Sequence, residues 1–272
     1  MNFKALLKSL LLRKFTTGLL ILQLAITLGL LVNSGILALD TQAKISMPTG
    51  LDNENILIVS NHPTSGNYRD LDYFRSIATE DMVKLSQLPG VNSVSVTNQL
   101  PIRTGGMRRN VFDLDNPEQE KNDLYLQDVK YILAEENLAK TMGFTILEGR
   151  FLNRSDQLDF DSEEKPNIVI TASLKRGLYG DESALGQETN NGFIVGVIKD
   201  VILDPTLPLD KQYGYFTNAV MKRIYIARYY VLNVEPGQMA NVRSKVRDTI
   251  LGVQAERDIF NIFTMQEHLL DF

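Results

Sequence analysis

Few side chains in this sequence stand where chemistry could be done. Histidine occurs twice, at His62 and His268, far apart and outside any H-E-x-x-H pattern. Neither reads as half of a metal site; a loop histidine and a helix-end histidine read as surface residues. There is no cysteine, which excludes disulfides, thiolate metal sites and thiol nucleophiles. The acidic stretch 153–166 contains no glycine, and a calcium loop needs one at its bend. No G-x-x-x-x-G-K-[ST] loop is present, so the chain does not itself bind ATP by that motif, and no G-x-S-x-G elbow offers a serine. Arg103, Arg108 and Arg109 cluster in PIRTGGMRRN, a composition that can hold an anion but, beside acidic neighbours, reads as a solvated loop. No residue is therefore assigned a catalytic, cofactor-binding or metal-ligating role, and the sequence gives an enzymatic activity no support.

The elements that would position any site begin with residues 16–39, TTGLLILQLAITLGLLVNSGILAL, which carry no charge. A helix of that length is about 36 Å long, enough to cross a hydrocarbon core of about 30 Å. Lys4, Lys8, Arg13 and Lys14 precede the span without an acidic residue, while Asp40, Lys44, Asp52 and Glu54 follow it. The positive-inside rule then predicts a cytoplasmic N-terminus and an extracytoplasmic remainder. Residues 1–15 have leucines at helical spacing opposite lysines, as an amphipathic interfacial segment would. Within the span, Thr16, Gln23, Thr27 and Ser34 lie within about 20° of one line, with Gly18, Ala25 and Gly29 on the opposite side. Polar and small stripes are what helices in lipid pack through, which predicts helical neighbours. The competing reading has Thr and Ser bonding back to their own helix. A cleavable signal peptide is disfavoured by the length of the apolar run and the poor small-residue site near 41–43.

The formal charge is −5, and without those four N-terminal cations it is −9, which argues against nucleic acid as a partner. Beyond the membrane, ILIVS (56–60) reads as a buried strand, NHPTSGN as a loop, and Asp70–Leu88 as a helix with Leu71, Phe74, Ala78, Met82 and Leu85 inward. On the same helix Arg69, Glu80, Asp81 and Lys84 read as the wet side. A strand at 91–98 completes a β-α-β unit. A second unit appears at 229–264, with Met239, Val242, Val246 and Ile250 on one helix face. Two such units separated by about 130 residues predict an α+β architecture: a split ferredoxin-like lobe, 45–99 and 229–266, with an inserted second lobe, 100–228. In the insert the pattern predicts strands near 124–132 and 144–152, a short helix at 135–142 ended by Gly143, and a strand and helix over 168–179 closed by Gly180. One further strand is predicted, FIVGVIKDV.

Four stretches in series carry a resemblance: LPGV (Leu88, Pro89, Gly90, Val91), GFTILEGRFL, NIVITASLKRGLYGDESALGQ, and FIVGVIKDV. They resemble the periplasmic core domain of MacB-like ABC transporter permeases, relatives of the FtsX and Lol permeases. The shared pattern is a G-R-F turn (Gly149, Arg150, Phe151), an L-G pair (Leu185, Gly186), and V-G-V-x-x-D (Val195, Gly196, Val197, Asp200). Gly149 and Gly186 suit tight turns, and Gly196 inside a strand suggests a bulge or close packing. Arg150 and Asp200 read as paired or capping charges rather than substrate ligands.

The resemblance implies a bacterial inner-membrane permease with a porter-like split lobe and four membrane helices, one before the large domain and three after it. It implies a dimer with a second permease copy, ATP hydrolysis by a cytoplasmic ATP-binding subunit, and mechanical transmission to the periplasmic domain. That domain would meet a periplasmic adaptor or a substrate protein; no cofactor is implied. Residues 267–272 fall where the approach to a second membrane helix is expected, so this chain alone is not expected to form a complete transport machine. The alternatives are a single-span anchored sensor, adaptor or scaffold without transport and, more distantly, a cell-envelope enzyme.

Overall fold

The computed structural model describes residues 14–46, 48–116, 126–158, 162, 164–218 and 229–271. The expected interfacial segment lies almost wholly outside the described residues, as do 219–228 and part of the acidic stretch after Leu158. The chain divides into two units, 1–47 and 48–272.

The first unit is the helix α1, Lys14–Ile45, long and apolar enough to cross a membrane. Its leucines and isoleucines from Leu19 to Leu39 are exposed. Thr27 Oγ1 donates to the Gln23 carbonyl at 2.9 Å, so that hydroxyl is satisfied by its own helix, and Lys44 pairs with Asp40 at 3.3 Å. A Cβ added at Gly18 or Gly29 would meet nothing within 4 Å.

The second unit is α+β. Four antiparallel strands, β1 (Ile56–Pro63), β2 (Val91–Thr97), β10 (Tyr229–Val234) and β11 (Arg257–Thr264), pair in the order β11-β1-β10-β2. With α2 (Leu71–Ser86) between the first two and α5 (Met239–Val253) between the last two, this is the split β-α-β plait. One sheet face packs Leu57, Val59, Val94, Val96 and Leu232 against Phe74, Ala78 and Leu85 of α2 and Val242, Val246 and Ile250 of α5. Asp70 caps α2 by accepting from the amides of Asp72 and Tyr73.

The inserted lobe is built on a second sheet, β3 (Arg108–Val111), β4 (Leu126–Leu133), β9 (Gly214–Thr217), β6 (Asn167–Thr171), β8 (Gly192–Ile198) and β5 (Ile146–Gly149), paired in that order. A short β7 (Glu188–Thr189) pairs with β8. The sheet mixes parallel pairs, β4 with β9 and β6 with β8, with antiparallel ones. Helix α4 (Ala172–Tyr179) buries Leu174 and Leu178 against it, and α3 (Leu138–Met142) ends on Gly143 in the left-handed conformation. Helix α3 packs on the second face of the plait sheet: Thr141 Oγ1 donates to Ser93 Oγ at 3.1 Å, and Asn233 Nδ2 reaches the Thr141 carbonyl at 3.4 Å.

Three readings of the sequence are corrected here. Residues 61–63, read as a loop, continue β1 past a bulge between Ser60 and Asn61. Beyond Ser60 the partner among the described residues is β11, and Pro63 ends the strand. Arg108 and Arg109, read as a solvated loop, sit on the edge strand β3, where cations also discourage foreign strand pairing. Asp81, read as facing water, is fully buried. The spacing Phe74, Ala78, Asp81, Leu85 explains it, for Asp81 shares the core stripe of α2 while Met82 is only half-buried. Strand β9 and the terminal helix α6 (Met265–Leu270) carry too little periodicity to have been anticipated.

Candidate functional site

Among the described residues no group of His, Asp and Glu is arranged to hold a metal ion. His62 is exposed on β1, its ring 5.7 Å from that of Phe260. His268 departs from the surface reading: it is half-buried on α6, with Nε2 3.1 Å from the Pro101 carbonyl, and burial pulls its pKa below the ordinary value. The features that concentrate unusual geometry are the frame of the inserted lobe and the junction of the two lobes.

The sheet register brings the expected pattern residues of the insert together, placing Gly149 opposite Gly196 and Glu148 opposite Val197. The Arg150 amide donates to the Val195 carbonyl at 3.1 Å, and the Gly186 amide to Ile194 at 2.8 Å. Gly149 has φ +65°, and a Cβ there would lie 2.3 Å from the Val195 oxygen and 2.8 Å from Leu185 Cδ2. At Gly196 a Cβ would lie 1.9 Å from the Arg150 carbonyl oxygen, so the turn and the strand touch through two residues without side chains. Phe151 is buried against Phe144 and Phe216.

The two charges of the pattern have separate partners. Arg150 grips Asp156 with both guanidinium nitrogens, at 2.6 and 2.7 Å. Asp156 also accepts from the Asn153 amide and Asn167 Nδ2. Burial pulls the Asp156 carboxyl up, but these bonds outweigh it and hold it below the usual carboxylate value. Asp200 instead accepts from the Ser173 amide at 2.6 Å in the first turn of α4 and from Arg176 at 2.8 Å. In the other lobe, the turn Leu88–Val91 meets the entry to α5: the Glu235 amide donates to the Gly90 carbonyl at 2.8 Å, and a Cβ on Gly90 would strike Gln238.

Two buried ionic groups were missed by sequence reasoning. In the plait, Arg257 forms a bidentate pair with Asp81 and donates to the Ile250 carbonyl, while Tyr230 Oη donates to Asp81 at 2.5 Å. One cluster thus spans α2, β10, the end of α5 and β11, from both halves of the split lobe. In the insert, Lys130 of β4 donates to the carbonyls of Arg103 and Leu203, and burial lowers its pKa to about 8. Nearby Arg108 pairs with the buried Asp204 at 2.7 Å, and Arg109 lies over the Tyr131 ring. A cation inside the apolar run V-K-Y-I-L was the available signal for Lys130; for Asp81 it was helical spacing.

At the junction, Thr97 Oγ1 donates to the Leu133 carbonyl at 2.9 Å, Asn98 Oδ1 accepts from the Leu133 amide at 2.8 Å, and Ser95 Oγ donates to Glu135 at 3.1 Å. Beside them a cleft of about 180 Å³ lies between Thr79 and Met82 of α2 and Glu135, Glu136, Arg154, Gln157 and Asn218 of the insert. Burial raises the Glu135 carboxyl above its ordinary value. This arrangement fastens two lobes and leaves a polar seam between them.

A family model described as the MacB-like periplasmic core domain matches residues 19–249. Among solved structures, the periplasmic region of MacB from Actinobacillus actinomycetemcomitans is similar in fold. Its TM-score is 0.51 at 14% identity, over 82% of this chain and 95% of that one. The extracellular domain of the noncanonic ABC-type transporter YknZ from Gram-positive bacteria aligns with a TM-score of 0.45 at 12% identity, over 75% of this chain and 100% of that one. Comparison with curated proteins returns no match. By the extent of the family match, which runs from within α1 through both lobes, the chain belongs to the MacB-like periplasmic core domain family.

Proposed function

We propose that this protein is a permease subunit of a MacB-type ABC transporter. Its α1 helix crosses the inner membrane with the N-terminus in the cytoplasm, and its two lobes stand on the extracytoplasmic side. The observation that carries this is the family match over 19–249, because it joins the apolar helix and both lobes in one pattern. A separate cytoplasmic subunit hydrolyses ATP, and a second permease copy completes the membrane assembly. The lobes act on a peptide, an antibiotic, a lipoprotein or an adaptor protein. In this reading Gln23, Thr27 and Ser34, and opposite them Gly18, Ala25 and Gly29, face neighbouring helices. The Thr27 bond to its own helix leaves Gln23 as the stronger polar contact in that stripe.

The test is purification of the protein from its native membrane in mild detergent. An ATP-binding subunit should copurify, with ATPase activity that falls several-fold in Gln23→Leu while the complex stays assembled. A preparation without any nucleotide-binding partner, or labelling of Gln23 and Thr27 by a lipid-borne photoprobe in the assembled complex, would overturn the reading.

A further inference from the structure

Between β2 and β3 the chain passes from one lobe to the other as a strap, residues 98–107. It is held near both ends and at its middle. Gln99 accepts from the Met107 amide at 2.8 Å and donates to the Tyr131 carbonyl at 2.6 Å. The amides of Ile102 and Arg103 donate to the carbonyls of Ile202 and Leu203 at 3.0 and 3.1 Å, and Lys130 ties the Arg103 and Leu203 carbonyls together. At the centre, Ile102 has φ +59° and is 1% exposed. A β-branched residue in the left-handed region is strained, and such strain persists only where the surroundings over-determine it.

The other side of the strap meets the last helix of the plait lobe. Thr264 and Glu267 form a capping box at the start of α6, Arg243 of α5 pairs with Glu267 at 2.8 Å, and Met265 and Leu269 are buried. From this anchored helix His268 reaches Pro101, one residue before the strained position, with Nε2 3.1 Å from the carbonyl oxygen. A carbonyl only accepts, so Nε2 carries the proton. The ring is half-buried beside Phe263, at 5.7 Å between centroids.

We propose that His268 and the strained strap form an acid-sensitive joint that fastens α6 of the plait lobe to the inserted lobe. It goes beyond the transport reading and does not depend on it. Among the described residues the charged groups that act on His268 are Arg103 from the strap and Asp271 on its own helix; β11 contributes the Phe263 ring. Burial is the largest influence and disfavours the imidazolium, and Arg103 adds to it. The bond to Pro101, the charge of Asp271 and the Ile102 backbone oppose it without prevailing, so the folded value lies below the ordinary one. The sign follows from that. Above the ordinary histidine value of about 6.5 the ring is neutral in either state and the joint is fully closed. As pH falls through the lower folded value, the proton is taken more readily by a ring released into water, so acid opens the joint.

Hydrogen exchange on the full chain in lipid nanodiscs tests this, with the Ile102 and Arg103 amides as reporters and the β1 amides as an internal reference. After correction for intrinsic rates, the wild type should exchange at both reporters several-fold faster at pH 5.5 than at pH 7.5, up to the limit of about tenfold that one proton with an open-state pKa of about 6.5 allows, with β1 unchanged. His268→Gln keeps a donor and cannot titrate, so its reporters should stay protected at both values; in His268→Ala they should be fast at both. Equal pH response in the wild type and His268→Gln would overturn the proposal, as would wild-type protection in a folded His268→Ala. Should His268→Ala fail to fold, the comparison of the wild type with His268→Gln decides alone.

Discussion

In the plait lobe two halves of the chain meet through apolar faces, with Asp81 and Arg257 as a single ionic pair inside that core among the described residues. In the inserted lobe the loops are fastened by polar side chains that reach backbone groups. Gln212 alone accepts from the amides of Leu203 and Asp204 and donates to the carbonyls of Asp204 and Leu207. Thr171 donates to the Gln212 carbonyl, and Asn190 accepts from the Phe112 amide. Both lobes have an apolar core between regular elements, but in the second the irregular segments are fastened by side chains that satisfy their backbone. Loss of a side chain should therefore cost a cavity or an orphaned charge in the plait, and orphaned backbone groups in the insert.

The sharpest way to break that contrast is Asp81→Ala. It leaves a buried guanidinium without its counter-ion and Tyr230 without its acceptor, and should cost about 3–5 kcal/mol. Replacing both partners, Asp81→Leu with Arg257→Met, should recover most of the loss, because an apolar pair of similar volume avoids the desolvation of two ions. Urea denaturation followed by tyrosine fluorescence reads both, since the chain has 10 tyrosines and no tryptophan. If the double variant is as unstable as the single one, the pair supplies more than charge balance, and the plait is not held by packing in the sense argued above.

The next largest effects compare one glycine from each lobe. Gly196→Ala drives a methyl group into the Arg150 carbonyl and should destabilise by about 1–3 kcal/mol. Gly252→Ala, inside α5 with nothing within 4 Å of the new Cβ, should instead stabilise by about 0.5–1 kcal/mol through helix propensity. Equal signs would mean that the close approach at Gly196 relaxes cheaply. Lys130→Met is of similar size: it removes the Lys130 donor from the Arg103 carbonyl and one of two donors from the Leu203 carbonyl, which keeps the Arg103 amide, and should cost about 1–3 kcal/mol at pH 7. It also carries a pH signature. The folded lysine releases its proton near 8, whereas an unfolded one keeps it to about 10.4. Between those values the unfolded chain binds more protons, so wild-type stability should rise with pH relative to Lys130→Met.

The same contrast explains what could be read before the fold was known. The plait was legible because its elements are amphipathic with clean periods, and Val242, Val246 and Ile250 are buried as their spacing implies. Helix α4 was legible as well, its C-terminal end marked by Gly180. Strand β9, four residues long and entirely buried, offers no alternation to detect, and its parallel partner β4 is remote in sequence. His268 and Gln212 were illegible for a related reason. Each acts on backbone carbonyls or amides of a distant loop, and backbone groups leave no mark in a sequence. Asp81 is the instructive exception. Its position on the stripe of Phe74, Ala78 and Leu85 was available from spacing, but residue type was allowed to outweigh period.

The smallest predicted effect tests whether polar contacts in the insert matter by kind or by number. Lys165 and Glu188 form an ion pair whose side chains are 41% and 34% exposed, joining two side chains without reaching the backbone. Water and salt screen such a pair, and both long side chains lose rotamer freedom to hold it. Lys165→Ala should therefore change stability by no more than about 0.5 kcal/mol, with no measurable dependence on salt between 50 and 500 mM, roughly the range over which the Debye length falls from about 14 to 4 Å. A loss as large as that of Lys130→Met would mean that surface charge pairing, not satisfaction of buried backbone, secures the inserted lobe. The physical distinction between the two lobes would then rest on the plait core alone.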